Sequence, residues 1–344
     1  MPAFYAADQS RHDPQTFMVL GQFRRAEEVP ERAERLLAGG RAAGLAFTEP
    51  AAFDPAVAAA VHTPEYLRFL AEIHDRWSEI PGAAPEVIPN MHLDRRLGGY
   101  PTAPAGLAGY HQADAACPIG AGTWAGAQAS AATATAAAHA VRDGAPAAYA
   151  LCRPPGHHAY ADLAGGFCFL NNSAIAARLL RGAHDRVAVL DVDVHHGNGT
   201  QGIFYGAGDV LTVSLHADPV DYYPFVQGHA HERGEGPGHG ANRNLPLPRT
   251  TEDEDYLTAL DDAILTIRAF APGALVLALG LDAYRGDPLK GMQLSTGAFE
   301  AIGQRVAGIG LPTVVVQEGG YLCDDLGANL TAFLTGLQEG LPHA

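Results

Sequence analysis

The stretch "AVLDVDVHHGNGT", residues 188–200, sets Asp191, Asp193 and His195 in an apolar, strand-like run that ends at a glycine-broken turn. Side chains alternate faces along a strand, so these three are expected to point one way and Val192 and Val194 the other. Residues i and i+2 lie about 6.6 Å apart along a strand, close enough for Asp193 and His195 to share one ion. An unpaired buried carboxylate costs several kcal/mol even after relaxation, which makes a cation the expected partner of such a ladder. The bland reading is a strand tip emerging into solvent with harmless polar residues. Three aligned groups are harder to excuse that way than one.

Working outward, short apolar runs recur at "AYALCR", "VLTVSLH", "ALVLALG" and "TVVVQEGG". Helix-like stretches such as "NNSAIAARLLRG" and "EDEDYLTALDDAILTIRAF" separate them, the second announced by Thr251 and Glu254 as a capping box. Continuous apolar strands alternating with helices predict an α/β class with a parallel sheet covered on both faces. Open parallel sheets place their sites beyond the carboxyl ends of the strands. At two such ends, "ALVLALGLDAY" brings Asp282, a candidate third ligand, and "TVVVQEGGY" brings Tyr321 after Gly319 and Gly320, whose freedom can aim a phenol inward.

An Asp–His–Asp set leaves coordination open for water and substrate, as catalytic zinc requires, whereas a structural ion usually closes its shell. Upstream, "CRPPGHHAYADLAGGFCF" presents His157 and His158 in a Pro/Gly loop after a strand. Imidazole suits proton transfer near neutral pH, and beside a metal it makes a hydrolase arrangement. A phenol opposite the metal would stabilise a developing oxyanion by about 3 kcal/mol.

The whole chain bounds these readings. Its 344 residues, 47% hydrophobic and 17% charged, are enough for a sizeable core, and with no repeat or clear linker it reads as a single domain over residues 1–344. A net charge of −16 argues against nucleic acid or an anionic membrane as partner; it suits a cationic substrate, or solubility alone. Cys117, Cys152, Cys168 and Cys323 form no CxxC pair, so neither a disulfide scaffold nor a cysteine-built zinc site is indicated. The amino terminus has no apolar signal region and no run reaches 18 apolar residues, so a cytoplasmic protein is expected. The first third reads as more helical, with Thr63 and Pro64 opening "PEYLRFLAEIHDRW" and an alanine-rich helix in "TWAGAQASAATATAAAHAV". Between them, residues 88–123 carry scattered Pro and Gly and read as an inserted lid or dimer loop.

The motifs "RPPGHHA", "GGFCFLNNSAIAA", "DVDVHHGNGTQGIFY", "SLHADP", "GEGPGHGANRNLPLP", "LGLDAY" and "EGGY" resemble, in order, those of the histone deacetylase and acetylpolyamine amidohydrolase superfamily. That resemblance implies an arginase-like α/β fold with a central, mostly parallel sheet flanked by helices on both faces. It implies a catalytic Zn2+, or Fe2+, on Asp193, His195 and Asp282, with His158 as general base and acid and His157 as its electrostatic partner. Asp191 would orient His157 and, with Asp193, His195, Ser214 and Leu215, hold a structural K+. Asn198 would contact His158 and leave it less basic than an aspartate would. Tyr321 would bond the acetyl carbonyl, and Phe167, Tyr223 and Gly166 would line the substrate tunnel.

The length, "GTW" at 122–124 and the preceding loop look most like the bacterial acetylpolyamine amidohydrolases, in which that loop builds a homodimer and narrows the entrance. Positions where such enzymes can carry acidic residues are Ala105 and Ala116 here, which leaves Asp114 as the nearest acid for a substrate ammonium. The implied function is zinc-dependent removal of acetyl from a small acetylated primary amine, such as an acetylpolyamine. The alternatives are a protein acetyl-lysine deacetylase of the class II type, a two-manganese ureohydrolase and a non-enzymatic binding module.

Overall fold

In a computed structural model, which describes residues 1–92 and 99–341, the apolar runs become strands in chain order: β1 (Ala3–Phe4), β2 (Thr16–Val19), β3 (Gln22–Arg25), β4 (Phe47–Thr48), β5 (Ala147–Ala150), β6 (Val187–Asp191), β7 (Val210–Ala217), β8 (Asn242–Leu247), β9 (Ala274–Leu279) and β10 (Thr313–Gln317). Eight of them form one sheet in the order β4-β1-β5-β10-β9-β6-β7-β8, and every ladder in it is parallel. Strands β2 and β3 pair separately as an antiparallel hairpin.

The helices are α1 (Glu31–Ala42), α2 (Pro55–Ala59), α3 (Pro64–Ser78), α4 (Pro104–His111), α5 (Thr123–Arg142), α6 (Asn172–Arg181), α7 (Asn198–Phe204), α8 (Asp253–Phe270), α9 (Thr296–Ala307) and α10 (Leu326–Gly340). They cover both faces of the sheet. Ala188 and Leu190 of β6 pack with Leu260, Ile264, Phe299 and Phe333 on one side, while Val187 and Val189 pack with Ala134, Ile175, Leu180 and Phe204 on the other. Each large apolar side chain so buried contributes roughly 1.5–3 kcal/mol. Burial on both faces explains why these strands read as unbroken apolar runs.

Thr63 caps α3 by accepting from Tyr66 N, with Pro64 in the first turn. The capping box at Thr251 and Glu254 does not form. Helix α8 has Glu252 at its N-cap and no side-chain cap bond. Thr251 is buried one residue earlier, and Asp253 is committed elsewhere, accepting from Ser295 N at 2.8 Å and Ser295 Oγ at 2.5 Å. A tertiary contact to the segment before α9 thus replaces the local box. Asp253, Glu254 and Asp255 still place negative charge at the positive end of the helix dipole.

The segment 88–123 is more regular than its composition implies. It contains α4, and Ile119 forms an antiparallel bridge with Val87. Its residues 93–98 lie outside the described residues.

Candidate active site

Loops leaving the carboxyl ends of β5, β6, β9 and β10 bring the sequence candidates together. The expected ladder along β6, however, stops at Asp191. Beyond it the chain leaves the sheet through two side-chain-stabilised turns: Asp193 N donates to Asp191 Oδ1 at 3.0 Å, and His195 N donates to Asp193 Oδ1 at 2.9 Å. Aspartate carboxylates that bond the backbone two residues on compete with strand pairing, which is why alternation ends here. Asp193 and His195 therefore converge through turns rather than through strand geometry.

Asp193, His195 and Asp282 are buried and offer ligand atoms that all lie within 4.8 Å of one another. His195 Nδ1 lies 3.1 Å from Asp193 Oδ1 and 3.1 Å from Asp282 Oδ2. Asp282 Oδ2 is buried and has no hydrogen-bond partner. Burial and the Asp193 carboxylate both push Asp282 up, while His195 pulls it down. Burial opposes charge on His195 as well, but the adjacent carboxylates of Asp193 and Asp282 raise it to about 9. Two buried carboxylates around an orphaned oxygen call for positive charge, and an Asp–His–Asp set is a donor set that a divalent cation accepts. Gly319 keeps the space clear, since a Cβ there would collide with the carboxylates of Asp282 and Asp193. Its N–H also donates to Asp193 Oδ2 at 2.7 Å.

A second group, His157, Cys168 and Glu318, has ligand-type atoms equally close together. Its donors are already engaged. Glu318 Oε2 accepts from Gly156 N at 2.6 Å and His157 N at 3.0 Å, and its Oε1 accepts from Ser173 Oγ at 2.7 Å. This carboxylate fixes the tandem-histidine loop to the end of β10 instead of waiting for an ion.

The two histidines are held in opposite charge states. His157 Nδ1 sits 2.9 Å from Asp191 Oδ2. Burial opposes its charge, but Asp193, Asp191 and Glu318 outweigh burial and push it up to about 10. For His158, burial and then the positive charges of His157 and His195 lower the pKa well below 6.5. Tyr160 OH donates to Gln227 Oε1, so it must accept from Asn198 Nδ2, which turns Asn198 Oδ1 toward His158. That oxygen can only accept, so His158 Nδ1 donates to it at 2.7 Å and Nε2 keeps a free lone pair. Replacing Asn198 with Asp would stabilise imidazolium instead. Its expected result is a shift of the acid limb of kcat to higher pH by about a unit or more, because a base with a raised pKa stays protonated longer as pH rises. The kcat–pH profiles of wild type and Asn198→Asp check this, and coincident limbs would remove the Asn198–His158 bond from the account.

Tyr321 is buried, with its ring 5.7 Å from Phe167 and its backbone N–H donating to Asp287 Oδ2 at 2.8 Å. Gly320, at φ +110, supplies a left-handed turn just before it. Phe167 follows Gly166 in a tight turn where Gly165 and Cys168 exchange both backbone bonds, and φ is +51 at Gly166 and +70 at Phe167. That is the pattern of a type I′ turn, unusual for a bulky residue. Any side chain at Gly166 would strike the ring of His158. Tyr223 stands edge-on to His158 at 5.0 Å between centroids. Asp114, the candidate for a substrate ammonium, accepts from Tyr223 OH at 2.6 Å. Of the residues expected to hold K+, Asp191 and Ser214 are paired across β6 and β7 and border a cavity of about 10 Å³, room for one water-sized occupant. The side chain of Leu215 lies in the core, and those of Asp193 and His195 also belong to the candidate metal cluster.

Five further residues support the site without a local sequence signature. Arg32 donates to Gly320 O at 2.6 Å and Glu318 O at 2.7 Å, and its guanidinium lies 4.7 Å from the Tyr321 ring centroid. Glu28 pairs with it at 2.6 Å. Asp287 and Glu318 hold backbone on either side of the site, and Tyr222 stacks on His195 at 5.0 Å. Only Glu318 stood inside a quoted motif.

A histone deacetylase domain matches residues 26–337. The chain is 49% identical over 340 residues to the acetylpolyamine amidohydrolase of Burkholderia pseudomallei, covering 98% of each. It is 42% identical over 344 residues to acetylpolyamine amidohydrolase 1 of Pseudomonas aeruginosa, covering 98% of this chain and 99% of that one. The crystal structure of acetylpolyamine aminohydrolase from Burkholderia pseudomallei matches with a TM-score of 0.96 at 48% identity, over 99% of this chain and 100% of that chain. The chain belongs to the histone deacetylase family. It is a deacetylase, a hydrolase with the fold of that family and a metal cofactor.

Proposed function

We propose that this deacetylase is a zinc-dependent amidohydrolase acting on small acetylated primary amines, acetylpolyamines among them. The observation that carries the reading is the buried Asp193–His195–Asp282 cluster around the unpartnered Asp282 Oδ2, with the neutral imidazole of His158 beside it. The names of the relatives point to the same substrates. A divalent cation on those three residues supplies Lewis-acid polarisation of the acetyl carbonyl and acidifies a water nucleophile.

The chain's own residues do the rest. His158 Nε2 takes the proton of the attacking water, and Tyr321 donates its phenolic hydrogen to the carbonyl oxygen as negative charge develops there. As the C–N bond breaks, His158 Nε2 returns a proton to the departing amine, releasing acetate. His157, charged and fixed by Asp191, stabilises negative charge nearby without moving a proton itself. Phe167 and Tyr223 confine the substrate's alkyl chain and exclude water.

In this reading residues 1–344 serve one site in the cytoplasm, and residues 88–123 narrow its mouth and join a second copy of the chain. Among the described residues no helix is long and apolar enough to cross a membrane. Asp191, Asp193, His195, Ser214 and Leu215 would together hold a K+ ion. Elemental analysis combined with turnover tests the proposal: one zinc per chain, activity lost on chelation and restored by zinc, and faster hydrolysis of acetylated diamines than of an acetyl-lysine peptide. One ferrous iron would change the ion alone. Two manganese ions per chain, or turnover restricted to the peptide, would overturn the reading.

A further inference from the structure

Three separate segments meet at Asp114. Its own segment runs beside the Gly165–Cys168 turn, with Ala113 N donating to Ala164 O at 2.7 Å. Asp114 Oδ2 accepts from Gly166 N at 3.2 Å and from Tyr223 OH at 2.6 Å, and Oδ1 accepts from Ala116 N at 2.8 Å. The next residue ties the same segment to β2, Met18 N donating to Ala115 O at 3.2 Å, and Phe17 of β2 packs edge-on against Phe167 at 5.5 Å. Both aromatic walls are thus anchored through one half-buried carboxylate: Phe167 through its turn and Tyr223 through its hydroxyl. A carboxylate has about four lone-pair positions, and three of these are taken by the protein. Little capacity is left for a substrate ammonium.

We propose that Asp114 is a positioning residue that clasps Tyr223 to the Gly166–Phe167 turn and so fixes the tunnel width. It selects slender, unbranched acetylated amines by shape rather than by pairing with a distal charge. The inference rests on the acetylated-amine reading above. The hydroxyl bond to Asp114 adds a fixed point to a ring that also meets His158 and Phe225 edge-on. A bond to a charged acceptor is among the stronger hydrogen bonds, so its loss should be visible in kinetics.

The test uses metal-loaded wild type, Asp114→Asn, Tyr223→Phe and the double variant, with three substrates: an N-acetylated unbranched monoamine, a monoacetylated diaminopentane and an acetyl-lysine peptide. Circular dichroism and metal content establish that each variant is folded and loaded. The expected result is a fall of about tenfold in the monoamine-to-peptide ratio of kcat/KM in Tyr223→Phe, a smaller fall in Asp114→Asn, whose neutral amide oxygen is a weaker acceptor, and no fall in the double beyond that of Tyr223→Phe, because both act on one shared bond. The diamine-to-monoamine ratio should stay constant throughout. An unchanged monoamine-to-peptide ratio in Tyr223→Phe overturns the clasp. So does a selective loss of the diamine in Asp114→Asn alone, which would mean that the carboxylate grips the ammonium. Wild type that is loaded yet inactive on all three substrates would instead remove the amidohydrolase reading and this inference with it.

Discussion

His158→Ala is expected to lower kcat by roughly 10²–10⁴-fold, with the metal content unchanged at one ion per chain. The size follows from the state in which the fold holds this ring. Burial and the neighbouring charge of His157 keep it neutral, and the bond to Asn198 fixes the proton on Nδ1. The basic nitrogen is therefore available at neutral pH without reorganisation. The ring is also packed between two others, 4.0 Å from His157 and 5.0 Å from Tyr223 between centroids. The adjacent His157 cannot replace it: raised to about 10 and donating to Asp191, it carries protons on both ring nitrogens and has no lone pair to take another. Turnover by His158→Ala within tenfold of wild type, at full metal loading, would mean that the water loses its proton elsewhere.

The parts of this site that could be read from sequence are those whose chemistry is local. Asp193, His195 and Asp282 follow apolar strands, and ligand-type residues at a strand's carboxyl end are conspicuous wherever that strand is otherwise hydrophobic. The route by which they meet was not legible. Strand alternation predicts convergence along β6, but the aspartates capture their own backbone two residues on and turn the chain out of the sheet. Strand β8 carries no apolar signature because its inward positions are polar. Asn242 and Asn244 face a buried network with Thr212, Gln201 and Glu232, so the hydropathy that marks the other strands is missing. Strands β1 and β4 have two residues each and carry no period at all.

Arg32 shows the harder limit. In "ERAERLL" it is indistinguishable from Arg35, which lies exposed three positions later and pairs with Glu31. What sets Arg32 apart is a contact with Gly320, 288 residues away in sequence. A buried guanidinium needs a full set of acceptors, and the fold provides them from Glu28 and from the backbone that carries Tyr321. Such a residue is defined by tertiary closure alone.

Tyr321→Phe is expected to reduce kcat by about 10²–10³-fold while leaving KM, metal content and thermal stability close to wild type. The substitution is sharp because everything else about the ring survives it. Phenylalanine keeps the edge contact with Phe167, the position under Arg32 and the backbone bond to Asp287, so the variant isolates one hydroxyl. That hydroxyl is held as a neutral donor. Burial pushes its pKa well above 10, Arg32 pulls it down by less, and the carboxylates of Asp282 and Asp193 add to the rise. A donor that never ionises in the working range gives no basic limb to the kcat–pH profile below pH 10, and the wild-type profile checks this independently. Its bond strengthens only as the carbonyl oxygen gains charge, which places the loss in kcat rather than in binding. Equal kcat in Tyr321→Phe and wild type would mean that the cation carries the oxyanion alone, and the phenol would then be a wall of the tunnel like Phe167.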